Sequence, residues 1–148
     1  MSNPNDDDPA EPAPLVALLE SAGVTKTSVI RVTGPGALPA LLWLCRQGYD
    51  QVGYIRAGQG SPHEDETDAV LVAHTCGDLE LKLFLSMARQ VRPGGLFVFR
   101  LRTHPGSSRV GLQWLLKGHG LAVAQRIESG RRALIVARRL DLALQKAA

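Results

Sequence analysis

Short apolar runs alternate with segments of helical period along most of the chain, and their order sets the expected fold. Residues 15–24, LVALLESAGV, space Leu15, Leu18, Leu19 and Ala22 at helical intervals and end near Gly23, a residue suited to a left-handed stop. SVIRV at 28–32 is short, β-branched and followed by glycines, the pattern of a buried strand opening into a turn. A helix is predicted over 38–47, with Pro39 near its start, a Leu/Trp-rich face and Gly48 at its end. QVGYIR at 51–56 reads as a second strand. In SPHEDET, Ser61 and Glu64 have capping-box spacing with Pro62 at the first helical position, which predicts a single turn.

The second half repeats the alternation. DAVLVAH at 68–74 is the apolar run of a central parallel strand. The spacing of Leu79, Leu83 and Met87 predicts a helix over 78–91, capped by Asp78 and stopped by RPGG. LFVFRL at 96–101 is a buried strand, and SRVGLQWLLKGHG at 108–120 is a helix ending in glycine. Residues 121–139 hold two alternating strands around a Ser-Gly turn, a hairpin signal. This order predicts an α/β fold: a mostly parallel sheet in a three-layer arrangement with right-handed crossovers, and an antiparallel hairpin at one edge.

The chain's 148 residues, 45% of them hydrophobic, suit one domain with its own core. Residues 1–14, rich in Pro, Asp and Asn, are expected to be a disordered tail; 15–140 form the domain and 141–148 a second tail. No apolar run approaches the ~18 residues of a membrane span. The N-terminal residues lack the basic and apolar regions of an export signal, so the expected location is cytoplasmic, with no membrane partner. Cys45 and Cys76 have neither zinc spacing nor a disulfide pattern, so no metal is expected.

Charge divides the chain. Residues 1–80 carry 4 basic and 12 acidic side chains, whereas residues 81–148 carry 13 basic and 2 acidic ones. A basic half admits an acidic protein or a nucleic acid as partner, or a surface balanced by the acidic half. Arg100 and Arg102, from FRLRTHPG, share a face by alternation and sit near His104, Arg109 and Lys117 in sequence, a candidate anion site. Aromatics able to stack on bases are few, since Phe97, Phe99 and Trp114 are expected in the core. Trp43 and Cys45 are read as packing residues, and Arg131, Arg132, Arg138 and Arg139 as charges blunting a sheet edge. In HTCGD, His74 ends a central strand beside Cys76, the two candidate catalytic side chains, although no third orienting group is evident.

Over residues 29–139 the chain resembles the class I S-adenosylmethionine-dependent methyltransferase family. VIRVTGPGALPALLWL is similar to its first motif. DETDAVLVAHTCGDLELKLFLSMARQVRPGGLFVF is similar to its fourth and fifth motifs, and GLAVAQRIESGRRALIVARR to its closing strands. The resemblance implies a Rossmann-like sheet with the cofactor at the carboxyl ends of the strands. It assigns Thr33, Gly34, Gly36, Ala37, Arg56 and His74 to the cofactor's surroundings.

Departures from the family pattern fall on that pocket. The acidic residue before the glycine turn is replaced by Arg31 or Val32, depending on register. Arg56 stands where the family places a ribose-binding carboxylate, and a guanidinium only donates hydrogen bonds. The 11 residues between Arg56 and Asp68 suffice for a crossover but not for the family's third strand as well. The second strand is therefore expected at a sheet edge, where Val52 and Tyr54 offer backbone groups to a protein partner or a second copy. The expected function is a methyltransferase-like domain with a degenerate cofactor site, acting as a binding or assembly module. The alternatives are a small active methyltransferase and an anion or nucleic-acid binder.

Overall fold

The apolar runs pair into one six-stranded sheet in a computed structural model that describes residues 12–56, 67–102 and 109–140. Helix α1 (Pro12–Ser21) leads to β1 (Val29–Thr33), α2 (Ala37–Arg46) and β2 (Gln51–Tyr54). Then come β3 (Thr67–Cys76), α3 (Asp78–Leu85), a 3₁₀ turn (Ser86–Gln90) and β4 (Val91–Arg102). Helix α4 (Arg109–Gly118) and the hairpin β5 (Leu121–Ser129) and β6 (Arg132–Arg139) complete the order. The sheet runs β2-β1-β3-β4-β6-β5. Strands β1 to β4 are parallel, and β6 is antiparallel to both neighbours. Among the described strands β2 is an edge, with no further strand beyond it, as its short return connection predicted.

Alternation along the strands builds two cores. Ile30, Val32, Leu71 and Val98 face α1 and α2, meeting Leu18, Leu19, Ala37 and Leu44. Val70, Val72, Phe97, Phe99 and Ile135 face α3 and α4, meeting Phe84, Leu85, Leu112 and Leu116. Both phenylalanines are buried as expected; Trp114 is not, with 69% exposure. Leu112 and Leu116, four apart, take the inward stripe of α4, which turns Trp114 outward beside Lys117.

Several boundaries move for identifiable reasons. Helix α1 begins at Pro12, inside the segment expected to be tail, and Gly23 supplies the left-handed stop at φ 91°. The helix expected over 78–91 ends at Leu85, and the chain tightens into the 3₁₀ turn. Its N-cap is Gly77 rather than Asp78, and Glu80 accepts the Gly77 N–H at 3.3 Å. Cys45, read as packing, is exposed. The turn expected at 61–66 lies outside the described residues.

RPGG does not stop a helix but forms an irregularity inside β4. Thr67 pairs with Val91 and Ala69 with Leu96, so β4 takes five steps where β3 takes two. Gly94 is left-handed at φ 81°. At Gly95 a Cβ would fall 2.7 Å from Val91 Cγ1, 2.8 Å from the Asp68 carbonyl and 2.9 Å from the Arg92 carbonyl. The Asp68 carboxylate accepts the Val29 N–H at 2.7 Å and pairs with Arg92. Arg138 donates to the Gly94 carbonyl at 2.7 Å and to the Ala22 carbonyl at 3.3 Å. Arg139 donates to the carbonyls of Arg89 and Val91. Strand β6 is interior, so these two arginines staple loops rather than blunt an edge.

Gly95→Ala is expected to cost about 3 kcal/mol of stability, because two of the atoms it would strike are backbone. Gly36→Ala meets nothing within 4 Å and carries only the left-handed strain of φ 80°, about 1 kcal/mol. Urea denaturation of both variants measures the difference, and equal losses would contradict the packing argument.

Candidate functional site

Open parallel sheets bind ligands at the carboxyl ends of their strands. Here the end of β1 is Thr33, fully buried, whose Oγ1 has no hydrogen-bond partner among the described residues. Gly34 and Gly36 follow in left-handed conformations at φ 90° and 80°, and Ala37 N–H closes the turn on the Gly34 carbonyl at 3.1 Å. Ala37 is then buried as the first residue of α2. The two glycines thus meet the needs of a tight strand-to-helix turn, whatever else the loop contacts.

His74 comes to this turn through a second irregularity. Between Leu71 and Thr75, β3 takes four steps while β4 takes two, from Val98 to Arg100. The His74 ring lies against Gly34: a Cβ there would be 2.7 Å from Nδ1 and 3.0 Å from Cε1. The ring meets Phe84 edge-on, with centroids 5.3 Å apart. Its Nε2 is 2.6 Å from Glu80 Oε2. The imidazole is thus met by three residues on two elements: Gly34 of the β1 turn, and Glu80 and Phe84 of α3.

Other candidates are not gathered there. Arg100 and Arg102 follow Leu96 and Val98 on the α1/α2 side, and Arg102 pairs in register with Arg132. Arg102 lies close enough to Glu80 to act on its charge. Arg56 is exposed, beyond the last residue of β2. Cys76 ends β3 in register with Leu101. Val52 and Tyr54 lie on the edge strand. His104 lies outside the described residues. Glu80 and Phe84 were not among the sequence candidates. Glu80 sits at the third position of α3, where carboxylates serve helix starts, and that position was the available signal.

No protein-family model matches the chain, and no curated protein does either. Solved structures do. One is the Burkholderia thailandensis 1,6-didemethyltoxoflavin-N1-methyltransferase with bound 1,6-didemethyltoxoflavin and S-adenosylhomocysteine. It has a TM-score of 0.72 and 15% identity over 93% of this chain and 80% of that one. A SAM-dependent methyltransferase from Aquifex aeolicus scores 0.59 with 13% identity over 93% and 94% of the two chains. The chain has the methyltransferase fold. A third match, at TM-score 0.59 and 13% identity over 86% and 88%, comes from the complex between the Haloferax volcanii Trm112 methyltransferase activator and a methyltransferase.

The His74 ring occupies the space into which a side chain at Gly34 would project. Arg56, exposed just beyond β2, carries a guanidinium, which only donates hydrogen bonds. No group of three or more His, Cys, Asp or Glu side chains able to hold a metal ion occurs among the described residues. No described helix is long and apolar enough to cross a membrane.

The His74 hydrogen bond, followed by that from the Gly77 amide, holds the Glu80 carboxyl below its ordinary range, and Arg102 adds in the same direction. A depressed carboxylate adds stability that is complete above its unfolded value and is lost as pH falls through the folded one. Wild type is therefore expected to exceed Glu80→Gln in urea midpoint near neutrality, and the gap should close as pH falls below 4.5. A gap that stays constant to pH ~3 would remove Glu80 from the pH dependence.

Proposed function

We propose that this chain is a methyltransferase-like domain whose cofactor site has been given over to internal packing, and that it serves as a protein-binding or assembly module. The observation that carries the reading is the His74 ring seated on Gly34, with Phe84 and Glu80 holding it there. Two further features support it: Arg56 at the end of β2, and the end of the described sheet at β2. A retained fold with altered contacts at its ligand end keeps a rigid scaffold and frees its edges for other uses. The activator complex among the structural matches is a methyltransferase-fold assembly with a protein partner, and that makes partnering a reasonable expectation here.

A second reading rests on the register of β4 and β6. Arg102 stands opposite Arg132, with Arg100 on the same face, a basic cluster suited to an anion or nucleic acid.

Calorimetric titration with S-adenosylmethionine and S-adenosylhomocysteine tests the first reading. The expected result is no saturable heat and no thermal stabilisation at about 1 mM cofactor, where even a ~10 μM site would stabilise by about 2.7 kcal/mol. Saturable micromolar binding would overturn it and turn attention to a methyl acceptor. For the second reading, oligonucleotide affinity should fall steeply with salt as counterions are released, and no binding at low salt would end it.

A further inference from the structure

The β2 edge carries a pattern that is complementary to itself. Ile55 N–H donates to the Val32 carbonyl at 3.0 Å, which fixes the phase of the parallel ladder. Gly53 and Ile55 turn their backbone groups toward β1, and Val52 and Tyr54 turn theirs away, toward the side that no described strand covers. The sequence around them is Asp50-Gln-Val-Gly-Tyr-Ile-Arg56. If a second β2 runs antiparallel beside the first, with a twofold axis through Gly53, Val52 falls opposite the partner's Tyr54 and Asp50 opposite the partner's Arg56. Both outward residues of each strand then find both hydrogen bonds, and two opposite-charge pairs close the ends of the ladder. Asp50 and Arg56 are both exposed and able to meet such a partner.

The helix above the edge fits the same axis. Val52 and Tyr54 pair with Ile30 and Val32, so they lie on the face that α2 covers. Ala37 and Leu44 of α2 point into the core, while Leu38 is 65% exposed and Leu42 47% exposed. At about 100° per residue, Leu38 and Leu42 stand to one side of that inward stripe. In a right-handed β1-α2-β2 crossover that side is the one toward β2. Tyr54, 57% exposed, lies along the same border. A twofold perpendicular to the sheet keeps both α2 helices on one face and brings their Leu38–Leu42 flanks toward each other.

We propose that β2 and the adjoining flank of α2 form an isologous homodimer interface, joining two sheets edge to edge about Gly53. The proposal rests on the module reading above and names its partner as a second copy of the chain. Gly53 contributes no side chain at the axis, and the Arg31 guanidinium lies over it on the opposite face, 3.1 Å from where a Cβ would be. The approach of two Arg31 side chains there opposes association. With one strand and one helix flank per subunit, the contact is small beside the ~1,600 Å² of a standard interface, so a micromolar dimer is expected.

Sedimentation equilibrium of the full chain over about 5–500 μM tests this. Wild type should dimerise, and Asp50→Arg and Arg56→Asp, each placing like charges across the axis, should each weaken the dimer by roughly tenfold. The double variant should return to within about threefold of wild type. Val52→Pro removes an outward N–H that β1 does not use, and should give a folded monomer by circular dichroism. A monomeric wild type, a dimer indifferent to the single charge reversals, or a double variant no better than the singles would overturn the interface. Cofactor titration is read separately. A dimer that binds S-adenosylmethionine keeps this interface and loses the lost-site reading, whereas a monomer that binds none does the reverse.

Discussion

The close approach of Gly95 to the Asp68 carbonyl is the contact from which the rest of the sheet is indexed. It seats the start of β4 against β3 and leaves Gly94 in a left-handed turn whose carbonyl faces Arg138. The Asp68 side chain, held at that point, takes the first N–H of β1 and pairs with Arg92. Four of the six strands, β1, β3, β4 and β6, are thereby tied within a few residues of one another at the amino end of the parallel strands. Partly buried and exposed polar groups at that end find partners in one another, which keeps the junction sharply defined.

The carboxyl end is governed differently. The β1 turn needs Gly34 and Gly36 for its backbone alone, so its shape does not depend on a ligand. What faces the turn is decided by the irregularity in β3 between Leu71 and Thr75, which brings His74 to Gly34 while Phe84 and Glu80 hold the ring. The fold itself rests on two apolar layers and a stapled amino end.

The edge at β2 belongs to the same logic. With β1 flanked by β2 and β3, no described strand covers the outward backbone groups of Val52 and Tyr54. Exposed strand edges are ordinarily shortened, charged or covered. This one is four residues long and carries Asp50 and Arg56 just beyond its ends, features that limit indiscriminate pairing while favouring one antiparallel register.

Periodicity by itself determined the element types, the parallel sheet and the closing hairpin, since burial on one or both faces imposes those patterns locally, and the short connection after β2 determined its edge position. The family resemblance, rather than periodicity, singled out Gly34, Arg56 and His74. What periodicity could not locate were the two irregularities in the β3–β4 ladder, because a register shift depends on how neighbouring strands fit and leaves no periodic trace of its own. RPGG therefore read as a helix stop, Arg138 and Arg139 as edge charges, and Trp114 as core. The partners of Arg138 and Arg139 lie far away in sequence, whereas Trp114 is turned outward by Leu112 and Leu116 of its own helix. The meeting of His74 with Gly34, forty residues apart, was likewise decided only in the tertiary structure, because long-range packing chooses which of several chemically plausible neighbours a side chain meets.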